Sequence, residues 1–193
     1  LPVSVEAVNF VGVAGTAGKT AAAGLLAAIL KAAHFPTGFY RGGCEPLSAR
    51  IFVDGSPVDP VLLTQAADAL AAAKPLPKAA AELAAAACCF GAAGCKLAVV
   101  ELPDAGLAAA LPQMPVCAVT AIGSDGVSRS VERSAALAAG VMREGAVCVT
   151  APEQPKPALS ELIVAAGKAN CELVVPDPED ITFLDAEKLN SKV

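Results

Sequence analysis

The sequence predicts an α/β protein built on a doubly wound, mostly parallel sheet with helices on both faces. Short apolar runs rich in Val and Ile alternate with longer Ala- and Leu-rich runs of helical spacing, and the alternation becomes regular from residue 97 onward. Strands that are apolar on both faces and alternate with helices belong to parallel sheets covered by those helices.

The elements follow in order. AVNFVGV at 7–13 is a β-rich apolar run, and KTAAAGLLAAILKAA at 19–33 has helical spacing and strong helix formers. After the Pro36 turn, TGFY at 37–40 reads as a second strand, and RIFV at 50–53 enters a hairpin-type turn at Asp54-Gly55. Helices are expected at 60–73 and 78–93, on either side of the breaker KPLPK. Then come strands at 97–101 and 116–122, a helix at 131–143, a strand at 146–150, a helix at 157–169 and a strand at 172–175. The alanine-rich tracts carry Leu at helical spacing and permit close helix-to-sheet packing. No repeat and no linker divides the chain, so residues 1–193 read as one domain.

Composition excludes several classes. A chain of 193 residues with 55% hydrophobic and 17% charged side chains can bury a core and is not disordered. No uninterrupted apolar run reaches the roughly 18 residues a membrane helix needs, so no membrane partner is expected. A net charge of −5 and a pI near 4.9 supply no basic stripe, which argues against a nucleic-acid partner. The seven cysteines, at 44, 88, 89, 95, 117, 148 and 171, lie mostly in apolar stretches. They read as reduced thiols used as small hydrophobes, hence a cytoplasmic location. Cys88, Cys89 and Cys95 lack the paired spacing and the nearby His of a zinc site. The first residue is Leu and no basic stretch precedes an apolar one, so no signal peptide is expected and the chain fits an excised segment.

The chemistry concentrates in VGVAGTAGKTAAAGLLAAIL, residues 11–30. Gly12, Gly15 and Gly18 are expected where the backbone bends sharply or approaches a ligand, and Lys19-Thr20 follows at once. The strict phosphate-loop pattern G-x-x-x-x-G-K-S/T would place Gly at 13, where this chain has Val13, with Gly at 12 instead. A tight strand-to-helix connection is the alternative reading. A lysine and a hydroxyl directly after the last glycine favour a phosphate-binding loop: backbone N–H donors at a helix start, a cation for the β- and γ-phosphates and a magnesium ligand. The fold expectation is accordingly P-loop NTPase-like.

The spelling VAGTAGKT resembles the GTNGKS or GTNGKT loop of the Mur ligase and folylpolyglutamate synthase superfamily. The resemblance continues along the chain. TGFY and ARIFVDGSPVD at 49–59 are similar to the family's TGLYTSPHL, ERI and short turn; AAAELAAAA at 79–87 to its FEFLT helix; KLAVVE at 96–101 to its LAVLEVGLGG strand. AVTAIGSD at 118–125 resembles ITSIGLDH, and VTAPEQPKPAL at 149–159 resembles VTAPQQPEAL.

This resemblance implies the ATP-binding domain of an ADP-forming amide ligase, in which ATP phosphorylates a carboxylate and an amine attacks the acyl phosphate. It implies ATP and Mg2+ as cofactors, a folate or other carboxylate and glutamate as substrates, and a second ligase domain or protein partner. Gly15, Thr16, Ala17, Gly18, Lys19 and Thr20 would form the nucleotide loop, with Lys19 the catalytic candidate. Thr20, Glu101, Glu82 and Asp125 would be the metal ligands. Residue-based alternatives stand beside these: Glu82 as a solvated helix residue, Asp104 and Asp125 as turn or cap residues, Arg41 and Arg50 as anion contacts or, by default, solvated charges, and His34 as a cap or packing residue.

The departures fall on chemistry. Ala17 stands for the family's Asn, RGGCEPL for the segment containing SPHL, and Gly126 for the His after Asp125. Ala138 stands for the family lysine that is carbamylated and holds a second magnesium, and VELPDAG replaces VEVGLGG. Three functions therefore compete. They are a ligase ATP-binding domain, a degenerate nucleotide-binding or interaction module of the same fold, and a generic P-loop hydrolase, which LAVVE disfavours by ending in Glu.

Overall fold

The computed structural model describes residues 3–71, 75–124 and 130–177. Its elements are α1 (Val3–Glu6), β1 (Asn9–Ala14), α2 (Lys19–Ala32), β2 (Thr37–Tyr40), β3 (Ile51–Val53), β4 (Ser56–Pro57), α3 (Pro60–Ala71) and α4 (Lys78–Ala92). They continue as β5 (Leu97–Glu101), β6 (Val116–Val119), α5 (Val131–Ala138), β7 (Val147–Thr150), α6 (Lys156–Ala169) and β8 (Glu172–Val174).

The eight strands form one sheet in the order β4-β3-β2-β5-β1-β6-β7-β8. All pairs from β2 to β8 are parallel, while β3 runs antiparallel to both β2 and β4. That mixed edge is the Asp54-Gly55 hairpin: Asp54 (φ 48°) and Gly55 (φ 74°) occupy the left-handed region that such a two-residue turn requires. Asp54 also accepts the Thr37 N–H at 2.8 Å.

Alternation along β1 divides the core. Phe10 and Ala14 belong to the large cluster with α4, α5 and α6, whereas Val13 packs with Ala23 and Ala27 of α2. Among the described residues, α2 is the one helix on its face of the sheet. On the same face Val116 and Val174 remain 39% and 36% exposed.

Three glycines set close approaches on the other face. A side chain at Gly38 would meet the Phe90 ring at 2.5 Å, and one at Gly91 would meet the α1 backbone at Ser4 at 2.8 Å. Gly12, expected at a bend or beside a ligand, instead lies within β1, and Met114 and Val141 fill the space a side chain would take.

Element ends differ from the sequence reading where tertiary contacts intervene. The strand expected at 116–122 stops at Val119, because its neighbour β1 ends at Ala14, where Thr120 makes the last bond, and residues 121–122 bond to loops instead. The helix expected at 131–143 ends at Ala138 and tightens into a 3-10 turn over Ala139–Val141. The short helix α1 has no sequence-level forecast; its Val5 is fully buried. Residues 72–73 of the expected 60–73 helix, and residues 178–193 of the single expected domain, lie outside the described residues.

Candidate functional site

The site forms where β1, β5 and β6 end, at the carboxyl edge of the parallel sheet, the place where such folds bind ligands. Gly15 (φ 130°) and Gly18 (φ 80°) carry the chain from β1 into α2. A side chain at Gly15 would overlap the Thr120 hydroxyl, so the glycine is needed for the loop to lie against the segment after β6. At Gly18 the corresponding space is open.

The first bond of α2 runs from the Ala22 N–H to the Gly18 carbonyl at 2.9 Å, and no side chain caps the helix. The N–H groups of Lys19, Thr20 and Ala21 therefore project from the positive end of the helix dipole. Lys19 Nζ donates to the Gly15 carbonyl at 2.9 Å, which holds its charge over the loop. Donors and charge of this kind suit a phosphate.

The front of the loop is anchored to residues 120–123. The N–H groups of Thr16 and Ala17 donate to the Ala121 carbonyl at 3.1 and 3.2 Å. Thr16 Oγ1 donates to the same carbonyl at 2.9 Å and accepts the Gly123 N–H at 2.7 Å. Of the six expected nucleotide-loop residues, Thr16 and Ala17 have their backbone N–H groups turned to protein, while those of Lys19 and Thr20 lie in the uncapped first turn of α2.

Thr20 Oγ1 donates to Glu101 Oε1 at 2.9 Å, and the Gly42 N–H donates to Glu101 Oε2 at 3.1 Å. Glu101 is 6% exposed and, among the described residues, has no ion-pair partner. A carboxylate this buried demands compensation, and the hydroxyl and the backbone donor supply it. Thr20 and Glu101 are two hard oxygen donors below the loop, the donor chemistry that magnesium takes together with phosphates and water. Among the described residues no group of three or more His, Cys, Asp or Glu side chains is arranged to hold a metal ion.

Glu82 is engaged by Arg50. Its Oε2 is 2.8 Å from Arg50 Nη2, and Lys78 approaches its other oxygen at 3.9 Å. Arg50 is 4% exposed; it also donates to the Glu45 carbonyl at 2.9 Å and to the Tyr40 hydroxyl at 3.0 Å. No hydrogen bond joins Glu82 to Thr20 or Glu101 among the described residues. Burial pushes the Tyr40 hydroxyl above its usual pKa, with Arg50 opposing. Arg50, read from sequence alone as a solvated charge, is thus a buried node, which its apolar neighbours in RIFV did not reveal.

Asp125 lies outside the described residues, as does Gly126. Asp104 caps the 3-10 turn after β5 by accepting the Gly106 N–H at 2.9 Å. His34 is exposed at φ 63°. Its N–H donates to the Lys31 carbonyl and that of Phe35 to the Leu30 carbonyl, so it caps α2 through its backbone. Ala138 lines a cleft of about 180 Å³ beside Gly15, Thr16, Asp104 and Ser134.

Sequence reasoning missed Gly42, Thr120 and Gln154. The glycine pair in RGGCEPL and the polar residue within APEQP were the available signals. Gly42 donates to Glu101 from a segment with no counterpart to the family's, and Gln154 supports the segment that holds the loop.

No family model matches the sequence, and no curated protein matches it. Solved structures match its fold. Mycobacterium tuberculosis folylpolyglutamate synthase complexed with ADP superposes with a TM-score of 0.74 at 22% identity, covering 89% of this chain and 43% of that one. Escherichia coli FolC in complex with DHPP and ADP gives 0.74 at 22%, covering 87% and 42%. The Yersinia pestis bifunctional folylpolyglutamate synthase/dihydrofolate synthase complexed with AMPPNP and Mn ion gives 0.73 at 23%, covering 88% and 43%. The likeness is one of fold, and the chain spans less than half the length of these structures.

Proposed function

We propose that the chain is the ATP-binding domain of a folylpolyglutamate synthase-like, ADP-forming amide ligase. The observation that carries this reading is the 2.9 Å bond from Thr20 to the buried Glu101 beneath the open helix end of Gly18–Ala21. Nucleotides in the fold relatives support it.

In this reading the N–H groups of Lys19, Thr20 and Ala21 bind the phosphates. Lys19 exchanges the Gly15 carbonyl for a phosphate oxygen and balances charge on the transferring group. Thr20 and Glu101 would hold Mg2+, which when bound neutralises the phosphates as charge moves to the leaving group. The carboxylate acceptor, a folate or another, and glutamate belong to the same proposal, as does a second domain or protein partner that completes the site.

A specific observation favours the second reading, a nucleotide-binding or interaction module without ligase activity: Ala138 leaves the cleft beside the loop without a lysine. Calorimetric titration with ATP and magnesium tests both. Micromolar affinity that falls at least about tenfold in Lys19→Ala, about 1.4 kcal/mol, supports a working loop. No heat at millimolar ATP overturns nucleotide binding altogether. Phosphate release or ligation by the chain with its partner domain separates the ligase from the module.

A further inference from the structure

Gln154, in the turn between β7 and α6, is 9% exposed and spends its whole amide on one task. Its Oε1 accepts the Ile122 N–H at 3.0 Å, and its Nε2 donates to the Thr120 carbonyl at 2.9 Å and the Thr150 hydroxyl at 2.9 Å. The amide thereby brackets Ala121, whose carbonyl receives three donors from Thr16 and Ala17. Thr120 is tied in turn to the end of β1, with its N–H and hydroxyl both donating to the Ala14 carbonyl at 2.9 and 3.1 Å.

Residues 120–123 have left the sheet ladder, so beyond the burial of Ile122 in the core these bonds are what orient their backbone. A free peptide segment at a strand end is among the first parts of a fold to open locally. Yet its carbonyl sets where the front of the loop lies, and the loop sets where the donors of Gly18–Ala21 aim. A donor displaced by a fraction of an ångström loses much of an oriented interaction.

We infer that Gln154 is a positioning residue for nucleotide binding, acting through residues 120–122 on Thr16 and Ala17. It touches no phosphate itself. The inference rests on the reading of the loop as a nucleotide site, but its structural half can be measured without a nucleotide.

The experiment compares Gln154→Ala with Leu162→Ala, a buried α6 substitution that lowers stability while leaving the hydrogen bonds of residues 120–123 intact. Backbone amide exchange at Thr16 and Ala17 should quicken about tenfold or more in Gln154→Ala and stay unchanged in Leu162→Ala. ATP affinity should fall about tenfold in the first variant and hold in the second. Unchanged exchange at Thr16 and Ala17 in Gln154→Ala overturns the inference. So does faster exchange with full ATP affinity, which would show that the anchor does not aim the donors. Should the unaltered chain bind no ATP, the nucleotide reading fails and the positioning role with it, while the exchange comparison still reports whether Gln154 holds the loop.

Discussion

Thr20 Oγ1 lies 2.9 Å from Glu101 Oε1, which joins the first turn of α2 to the carboxyl end of β5 across 81 residues of sequence. The bond places a hydroxyl and a buried carboxylate side by side under the helix end. Three strands and two helices separate α2 from β5 in sequence, but α2 follows directly from β1, and Val13 of β1 and Glu101 are partners across the sheet, so the pairing follows from the strand order.

Glu101→Gln keeps an acceptor for the Gly42 N–H, offers an amide donor to the Thr20 hydroxyl, which can turn to accept it, and removes the charge a metal would need. The expected outcome is a folded protein whose ATP affinity no longer responds to magnesium, with Thr20→Ala behaving alike. Titrations with and without magnesium check this, and an undiminished magnesium response in both variants would remove the pair from the metal site.

Buried Arg50 and partly buried Glu82 form an ion pair with Tyr40 alongside. Arg50→Met takes the buried partner from the Tyr40 hydroxyl and the Glu45 carbonyl and leaves Glu82 only Lys78 and solvent, and stability should drop by about 1–3 kcal/mol in urea unfolding. The double variant Arg50→Met/Glu82→Leu should lose less than the sum of the singles. Glu82→Gln is expected to leave the magnesium response of ATP binding unchanged. A lost response would instead support the metal role that the family resemblance gives this residue.

Cys44 is exposed and the other six thiols are buried. A thiol reagent should therefore modify one cysteine rapidly in the folded protein and all seven after unfolding. Burial raises Cys89 and Cys95 from 9.0 to about 11. A raised folded-state pKa gives stability that is complete below the unfolded value and lost as pH climbs through the folded one. Stability should accordingly hold up to pH 9 and decline from 9 toward 11, where the Tyr40 hydroxyl adds to the loss. Thermal unfolding across this range provides the measurement, and a flat profile would contradict the burial argument.

Much of the architecture is already in the residue pattern. The apolar runs at 97–101 and 147–150, the helical spacing of 19–32 and the Gly15–Thr20 spelling depend on local chemistry: strand and helix periodicity, and the few residues that permit a tight loop. Those signals lie within one element, so they survive without knowledge of neighbours. The partnership of Thr20 with Glu101 was legible only through family resemblance, since nothing local to either residue points to the other.

The sequence by itself determined the kind of fold and the position of the glycine-rich strand-to-helix loop, because both follow from periodicities and backbone freedoms that each segment carries alone. Only the tertiary structure decided that Glu82 serves Arg50, that Gly12 makes room for Met114 and Val141, and that Gln154 holds Ala121 against the loop. The reason is physical. A buried charge, a missing side chain and an amide in a turn acquire their roles from partners brought up by the sheet order, and for Gln154 those partners lie 32 and 34 residues away.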